Sequence, residues 1–277
     1  MAYFGLFLID SEEAKLINLK AVMKESKGWR EATPFPYFVV DDFLDNDVAR
    51  KLEAEFPSFD DSVWHEYNNA LEVKKVCNNW NVFPSLTYTV FSFLNSAEFT
   101  DNLSHILFGS HMLSSDAGLN GGGWHIHKRG GILNTHLDYS LHPKIPLERK
   151  LNIIVYLNSN WQSAWGGRLG LWGNESEKKP GSLQKQIEPV FNRAVIFDTT
   201  CNSWHGLADP LECPESQFRK SMAVYYLSEQ STKCDFRGKA LFAPREDQKG
   251  DEGVLELIKR RSNVELSAAV YLGEEKD

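Results

Sequence analysis

The chain has 277 residues and a formal net charge of −8, long enough for one large domain with a substantial core, and without the overall positive field that would grip nucleic acid or anionic lipid. Its four cysteines, Cys77, Cys201, Cys213 and Cys234, show no C-x-x-C spacing and read as free thiols of a reducing compartment. The apolar stretch from Tyr3 to Ile9 lacks a basic flank and is too short for a membrane span, so a cytoplasmic protein without membrane association is predicted and a nucleic-acid substrate is disfavoured.

Taken in order, residues 11–24 place Leu16, Ile17, Leu19, Val22 and Met23 at helical spacing behind Ser11 and two glutamates, which predicts a helix capped by Ser11. Pro34 and Pro36 separate it from a short strand, Tyr37 to Val40. Asp45 or Asn46 then caps a second helix in which Val48, Leu52 and Phe56 recur every four residues before Pro57 closes it. From Ser58 to Asn81 the composition turns polar and aromatic, with Trp64, His65, Tyr67 and Trp80 among asparagines. This predicts a long connection, either packed on the surface or folded over a pocket as a lid. Phe83 to His111 regains helical periodicity through Val90, Phe91, Leu94, Leu103, Ile106 and Leu107. Residues 118–123 (GLNGGG) are too glycine-rich for regular structure and lack the Lys-Ser/Thr ending of a phosphate loop. In the next stretch His125 and His127 alternate onto one strand face, but no third ligand of suitable spacing accompanies them.

The segment Ile132 to Ser140 (ILNTHLDYS) concentrates chemistry. Read as a strand, it points His136 and Asp138 into one cavity, supplying two of the three ligands of a 2-His-1-carboxylate facial triad for non-haem Fe(II). The third must be a distant histidine, and His205, in Asn202-Ser203-Trp204-His205-Gly206, is the candidate. Tyr139, and Asn134 two residues before His136, are candidates for the substrate side, and the turn-rich His142 to Pro146 for a substrate loop. Short β-branched or aromatic runs at 151–157, 168–172, 186–191, 194–198 and 222–227, separated by Gly, Asn and Pro, have the cadence of an antiparallel jelly roll. Residues 251–261 (DEGVLELIKRR) predict a helix with an acidic start and a basic end. The charged residues Glu274 to Asp277 are expected to be disordered.

The order H-x-D, a distant His, then Arg219-Lys220-Ser221 opening another strand resembles the Fe(II)/2-oxoglutarate-dependent dioxygenases, and within them the prolyl-4-hydroxylase-like branch. His127, Gly130, Leu133 and His136 are similar to that branch's Y-x-x-G-x-x-L-x-x-H lead-in, with histidine in place of tyrosine. Leu151 to Trp161 (LNIIVYLNSNW) followed by Gly166-Gly167-Arg168-Leu169 resembles its hairpin. The resemblance covers about residues 115–228. It implies a double-stranded β-helix, a jelly roll of the cupin-like kind that is mainly β with flanking helices. In a single domain, residues 1–114 would form a helix and strand scaffold packed on the barrel, 115–228 the catalytic core, and 229–277 an extension.

The same resemblance implies that His136, Asp138 and His205 hold Fe(II), that Arg219 meets the distal carboxylate of 2-oxoglutarate, and that Ser221 and His127 assist in binding it. A guanidinium fits a carboxylate through two parallel charge-assisted hydrogen bonds. Turnover would consume O2 and 2-oxoglutarate and release succinate and CO2, with ascorbate as a supporting reductant. The substrate would be peptidyl or a small molecule: a peptidyl proline, an amino acid, a metabolite or a glycan. An intact Asp138 favours hydroxylation over halogenation, since related halogenases replace that carboxylate by a small residue. Arg219 stands where the branch commonly has lysine, and with His127 it leaves prolyl specificity open. Two other readings use the same residues: a jelly-roll binding protein without catalysis, and a zinc hydrolase with a metal-bound water. The complete triad with Arg219 weighs against the first, since a decayed enzyme would be free to lose any of the four, and the second leaves Arg219 and Ser221 without a role.

Overall fold

The computed structural model describes residues 13–200, 202–231 and 237–263. Tyr3 to Ile9, Ser11, Cys201, Cys234 and the charged tail lie outside the described residues. A short 3-10 turn, Glu13–Leu16, precedes α1 (Leu19–Glu25), whose cap is Asn18, its side chain accepting from the Ala21 amide at 3.0 Å. The regular helix therefore starts later than the apolar spacing predicts, because an asparagine oxygen meets an otherwise orphaned helix-start amide at that point. Strand β1 (Tyr37–Val40) and helix α2 (Asn46–Glu55) lie where expected, α2 being capped by Asp45, which accepts from the Asp47 and Val48 amides.

The predicted connection from Ser58 to Asn81 is instead largely a β-hairpin, β2 (His65–Asn68) with β3 (Glu72–Cys77). Helices α3 (Ser85–Leu94) and α4 (Ala97–Phe108) follow. They are separated where Ser96 caps the second, and Gly109 ends α4 in the left-handed region at φ 73°. The rest is β structure: β4 (Ser114–Ser115), β5 (Gly123–His127), β6 (Ile132–Leu133), β7 (His136–Leu137), β8 (Glu148–Tyr156), β9 (Leu169–Ser176), β10 (Lys179–Ile187), β11 (Ala194–Asp198), β12 (His205–Leu207), β13 (Arg219–Ser228) and β14 (Leu241–Phe242), before α5 (Glu252–Ser262). Strand β10 covers 179–187, so the strand expected at 186–191 belongs to an earlier and longer element.

Two antiparallel sheets form the double-stranded β-helix. The larger runs β1-β11-β8-β13-β5-β3-β2, with β4 on β13 and β6 on β3. The smaller runs β10-β9-β12-β7-β14. Period-2 alternation divides the larger sheet. Leu151, Ile153, Val155, Ala194, Ile196, Met222, Val224 and Tyr226 belong to one core cluster with the helical residues Leu52, Phe91, Leu94 and Phe99. The residues between them, among them Asn152, Ile154, Ser221, Ala223 and Tyr225, face a cavity between the sheets. Trp124, fully buried, anchors the helical side against Phe56, Trp64 and Phe83 at ring separations of 5.3, 6.1 and 4.9 Å. Burial of one such side chain contributes about 3 kcal/mol. Next to it only glycine fits at 123: φ is +88°, and a Cβ would overlap the Cys77 carbonyl where β3 crosses β5.

Candidate metal centre and cofactor cavity

The cavity between the sheets has a volume of about 380 Å³. At its inner end the smaller sheet sets two histidines side by side: β12 pairs with β7 so that His205 is the cross-strand partner of His136, and their ring centroids lie 4.3 Å apart. Each ring is oriented by its own backbone. Nδ1 of His136 meets the Asn134 carbonyl at 2.9 Å, and Nδ1 of His205 meets the Ser203 carbonyl at 2.8 Å. A carbonyl only accepts, so both Nδ1 atoms carry a proton and both Nε2 atoms are left facing Asp138. Asp138 follows just after β7, with one carboxylate oxygen 3.7 Å from His136 Nε2 and the other 3.8 Å from His205 Nε2. One ligand atom from each of the three lies within 4.8 Å of the others, and all three side chains are buried.

The electrostatics suit a cation. Burial pushes the His205 pKa down to about 4, helped by the neighbouring His136 and opposed by Asp138, so the imidazole is neutral at neutral pH. Burial works against the charged form of Asp138. The His136 and His205 rings and the Arg149 guanidinium outweigh it and hold the carboxyl well below the usual range. Two imidazoles and one carboxylate, converging with the rest of the cavity open before them, fit the donor set of a facial Fe(II) site.

The carboxylate is also held from outside. The Tyr225 hydroxyl donates to Asp138 Oδ2 at 3.0 Å. Arg149 is clamped between the Tyr139 and Tyr225 rings, 3.4 and 3.6 Å from their centroids, and donates to the Tyr139 hydroxyl and the Asn120 carbonyl. Arg149, Tyr225 and Tyr139 all line the cavity. Of these only Tyr139 is evident from its place after the ligand. Arg149 and Tyr225 lie on the inward positions of β8 and β13, a periodicity hidden because both faces of these strands are buried.

Arg219 opens β13 opposite His127 of β5. Its Nε donates to the Gly167 carbonyl at 2.8 Å, which fixes the guanidinium plane, and the group lies over the Tyr156 ring at 4.8 Å. Tyr156 is a further cofactor-side candidate, marked in sequence only by its place in the LNIIVYLN run. Gly167, at φ +76°, lies so close that a Cβ there would come 3.0 Å from Arg219 Cδ. Ser221 is two residues on, across from Tyr156 and His125. His127 and His125 both face the cavity. Both His127 ring nitrogens are buried without a hydrogen-bond partner, and burial, with the Arg219 charge next, holds its pKa well below the ordinary histidine value. Such a neutral, unsatisfied imidazole beside a guanidinium is a polar wall prepared for a ligand. Ile154, Leu169 and Leu207 supply apolar surface between these groups.

Two expectations are corrected. Asn134 does not face the cavity: its amide donates to Gln248 Oε1 at 2.6 Å and the Ala243 carbonyl at 3.2 Å, while its oxygen accepts from Arg245 at 2.9 Å. The chain breaks its strand between β6 and β7, which belong to different sheets, so alternation does not carry back from His136. From the His142 to Pro146 turn only Pro143 reaches the cavity. His142 is turned away, its Nε2 2.8 Å from Asn120 and 3.3 Å from Asp116.

Residues 122–227 match the model of the 2OG-Fe(II) oxygenase superfamily. That segment is similar to a 2OG-Fe(II) oxygenase domain of the prolyl-hydroxylase-like form, which implies dioxygenase chemistry with Fe(II), 2-oxoglutarate and O2. Among individual proteins it is 32% identical over 63 residues to the prolyl 3-hydroxylase OGFOD1 of Xenopus laevis, a match spanning 23% of this chain and 12% of that one. Its fold is similar to that of a prolyl hydroxylase from Trichoplax adhaerens solved with a hypoxia-inducible-factor peptide fragment (TM-score 0.53, 16% identity, 76% of this chain and 90% of that one). It is also similar to that of a prolyl 4-hydroxylase from Phytophthora capsici (TM-score 0.52, 17% identity, 92% of this chain and 77% of that one). No helix among the described residues is long and apolar enough to cross a membrane.

Proposed function

We propose that this protein is a hydroxylase that uses Fe(II) and 2-oxoglutarate to oxidise a C–H bond of a substrate admitted to the cavity. His136, Asp138 and His205 would hold the iron. The observation that carries the reading is the convergence of two inward Nε2 atoms and one carboxylate within 4.8 Å, with each imidazole's other nitrogen occupied by backbone.

Bound iron with 2-oxoglutarate and O2 supplies the oxidising chemistry, with succinate and CO2 as co-products. This chain's residues perform the remaining tasks. Arg219, its plane fixed by the Gly167 carbonyl, receives the distal carboxylate of 2-oxoglutarate, with the Tyr156 hydroxyl beside it and Ser221 on the same face. His127, neutral and with both nitrogens open, donates to or accepts from a cosubstrate oxygen. Tyr225 keeps Asp138 in one rotamer, and the Arg149 clamp keeps Tyr225 in place. The carbon to be oxidised belongs to a peptidyl proline, an amino acid, a small metabolite or a glycan.

The test is anaerobic titration of the metal-free protein with Fe(II) and 2-oxoglutarate. The expected result is the weak visible charge-transfer band near ~500 nm of a keto acid chelated to open-site iron, lost in His136→Ala and weakened in Arg219→Ala. A folded, iron-loaded protein that shows no band would overturn the proposal.

A further inference from the structure

The cavity carries more positive charge than its cofactors use. Lys74, Arg149, Arg219, Lys239 and Arg261 line it, against the carboxylates of Glu72 and Asp138. Fe(II) and the 2-oxoglutarate dianion cancel each other, so five cations against two carboxylates leave a surplus of three positive charges. The whole chain has a formal net charge of −8, so this surplus is a local feature and not a reflection of composition. Like charges gathered in a cleft with low-dielectric walls repel one another and raise the local concentration of anions.

The surplus has a definite place. Arg219 is assigned to the cosubstrate, and Arg149 is committed to its two tyrosines. The remaining three come from elements that the family match does not include: Lys74 from β3, Lys239 from the segment before β14, and Arg261 from α5. Glu72 accepts from Lys74 at 3.0 Å through one oxygen and from Arg261 at 2.5 Å through the other. One carboxylate thus holds two cations at the cavity wall, and the triad keeps one net positive charge. Lys74 also bears on the interior. Burial chiefly, and then the Lys74 charge, push His125 down to about 3. Lys239 has no ion-pair partner among the described residues. Lysine, a compact charge with rotatable donors, suits a carboxylate or a phosphate equally. A cavity of about 380 Å³ leaves room for such a group beside a five-carbon diacid.

We infer that this part of the cavity is a second anion site, and that the substrate carries a carboxylate or phosphate near the carbon to be oxidised, received by Lys74 and Lys239. Glu72 and Arg261 are positioning residues that hold Lys74 at the wall. The inference rests on the dioxygenase reading above, since it assigns Arg219 to the cosubstrate.

The experiment loads the protein with Mn(II) and N-oxalylglycine, an unreactive 2-oxoglutarate analogue that occupies the triad and Arg219. Inorganic phosphate, glutarate and uncharged glutaramide are then titrated calorimetrically at constant ionic strength. Saturable binding of at least one anion, with none of glutaramide, is expected, and the preference between phosphate and glutarate names the source of the charge. Lys74→Gln and Lys239→Gln should each weaken that binding by about tenfold, while Lys74→Arg, which keeps the charge, should retain most of it. No saturable anion binding to the loaded protein, or binding unchanged in both glutamine variants, would overturn the inference and leave the iron reading intact. Failure of Mn(II) and N-oxalylglycine to load at all would remove the dioxygenase reading, and this inference with it.

Discussion

Replacement of Arg219 by lysine isolates geometry from charge. The side chain is buried, its Nε is committed to the Gly167 carbonyl at 2.8 Å, and so the two terminal nitrogens are what a carboxylate can meet. Lysine keeps the positive charge but offers a single nitrogen, so at least one charge-assisted hydrogen bond to the cosubstrate is lost and the Gly167 carbonyl loses its donor. At about 1.5–3 kcal/mol for a hydrogen bond to a charged group, 2-oxoglutarate should bind about 30-fold more weakly. Metal binding should hardly change, because none of the three ligands touches Arg219. The assay is paired calorimetry: Mn(II) into the metal-free variant, then N-oxalylglycine into the Mn(II)-loaded variant, with the wild type alongside. Unchanged N-oxalylglycine affinity in Arg219→Lys would refute the assignment of the guanidinium to the distal carboxylate. Gly167→Ala approaches the same point from the other side. At φ +76° and with a Cβ 3.0 Å from Arg219 Cδ, it should strain the backbone, displace the guanidinium and weaken the same titration.

Other outcomes follow from the same geometry. Tyr225→Phe removes the hydrogen bond to Asp138 and should weaken Mn(II) binding by about tenfold, the lower end of what loss of such a supporting contact does; an unchanged Mn(II) isotherm would show that the bond is incidental. Arg261→Ala leaves Glu72 buried with one cation fewer and should cost about 3 kcal/mol, read as a lower urea midpoint at constant m; a midpoint equal to wild type would mean that α5 is not held through this pair. In the metal-free protein His125, His127 and His205 are held neutral by burial, with folded pKa values below the unfolded 6.5, so the unfolded state binds more protons between pH 6.5 and about 4 and stability falls as pH falls through that window. From pH 7 to 5.5 each should contribute about 1 kcal/mol and the three about 3 kcal/mol, measured by urea unfolding. A flat profile would contradict their burial as neutral rings.

That His136, Asp138 and His205 converge and that Arg219 shares their cavity was legible because the chemistry proposed for them demands particular residue types in a particular order, which the linear chain satisfies. The flanking helices and most strands were legible from periodicity and caps, as Asp45 at α2 illustrates. The β2-β3 hairpin was not, and the reason is physical. Glu72, Lys74 and Val76 face a polar cavity, so the run EVKKVC has none of the apolar alternation that marks a strand on a hydrophobic core. Arg149, Tyr156 and Tyr225 escaped for the opposite reason: on β8 and β13 both faces are buried, so inward and outward positions differ in partner and not in hydropathy. Asn134 does not share the face of His136 because the chain changes sheet between β6 and β7.

The wall of the cavity is finished by chain that follows the ligands by many residues. Strand β14 pairs with β7, setting Phe242 against His136 with ring centroids 5.1 Å apart. Arg237 donates to the Asp138 carbonyl at 3.0 Å, and Arg261 closes on Glu72. His136, Asp138 and His205 therefore all precede in sequence the residues that enclose them. Closure of the cavity over these three side chains thus depends on residues 237–261, which lie well beyond them along the chain and form part of neither β7 nor β12.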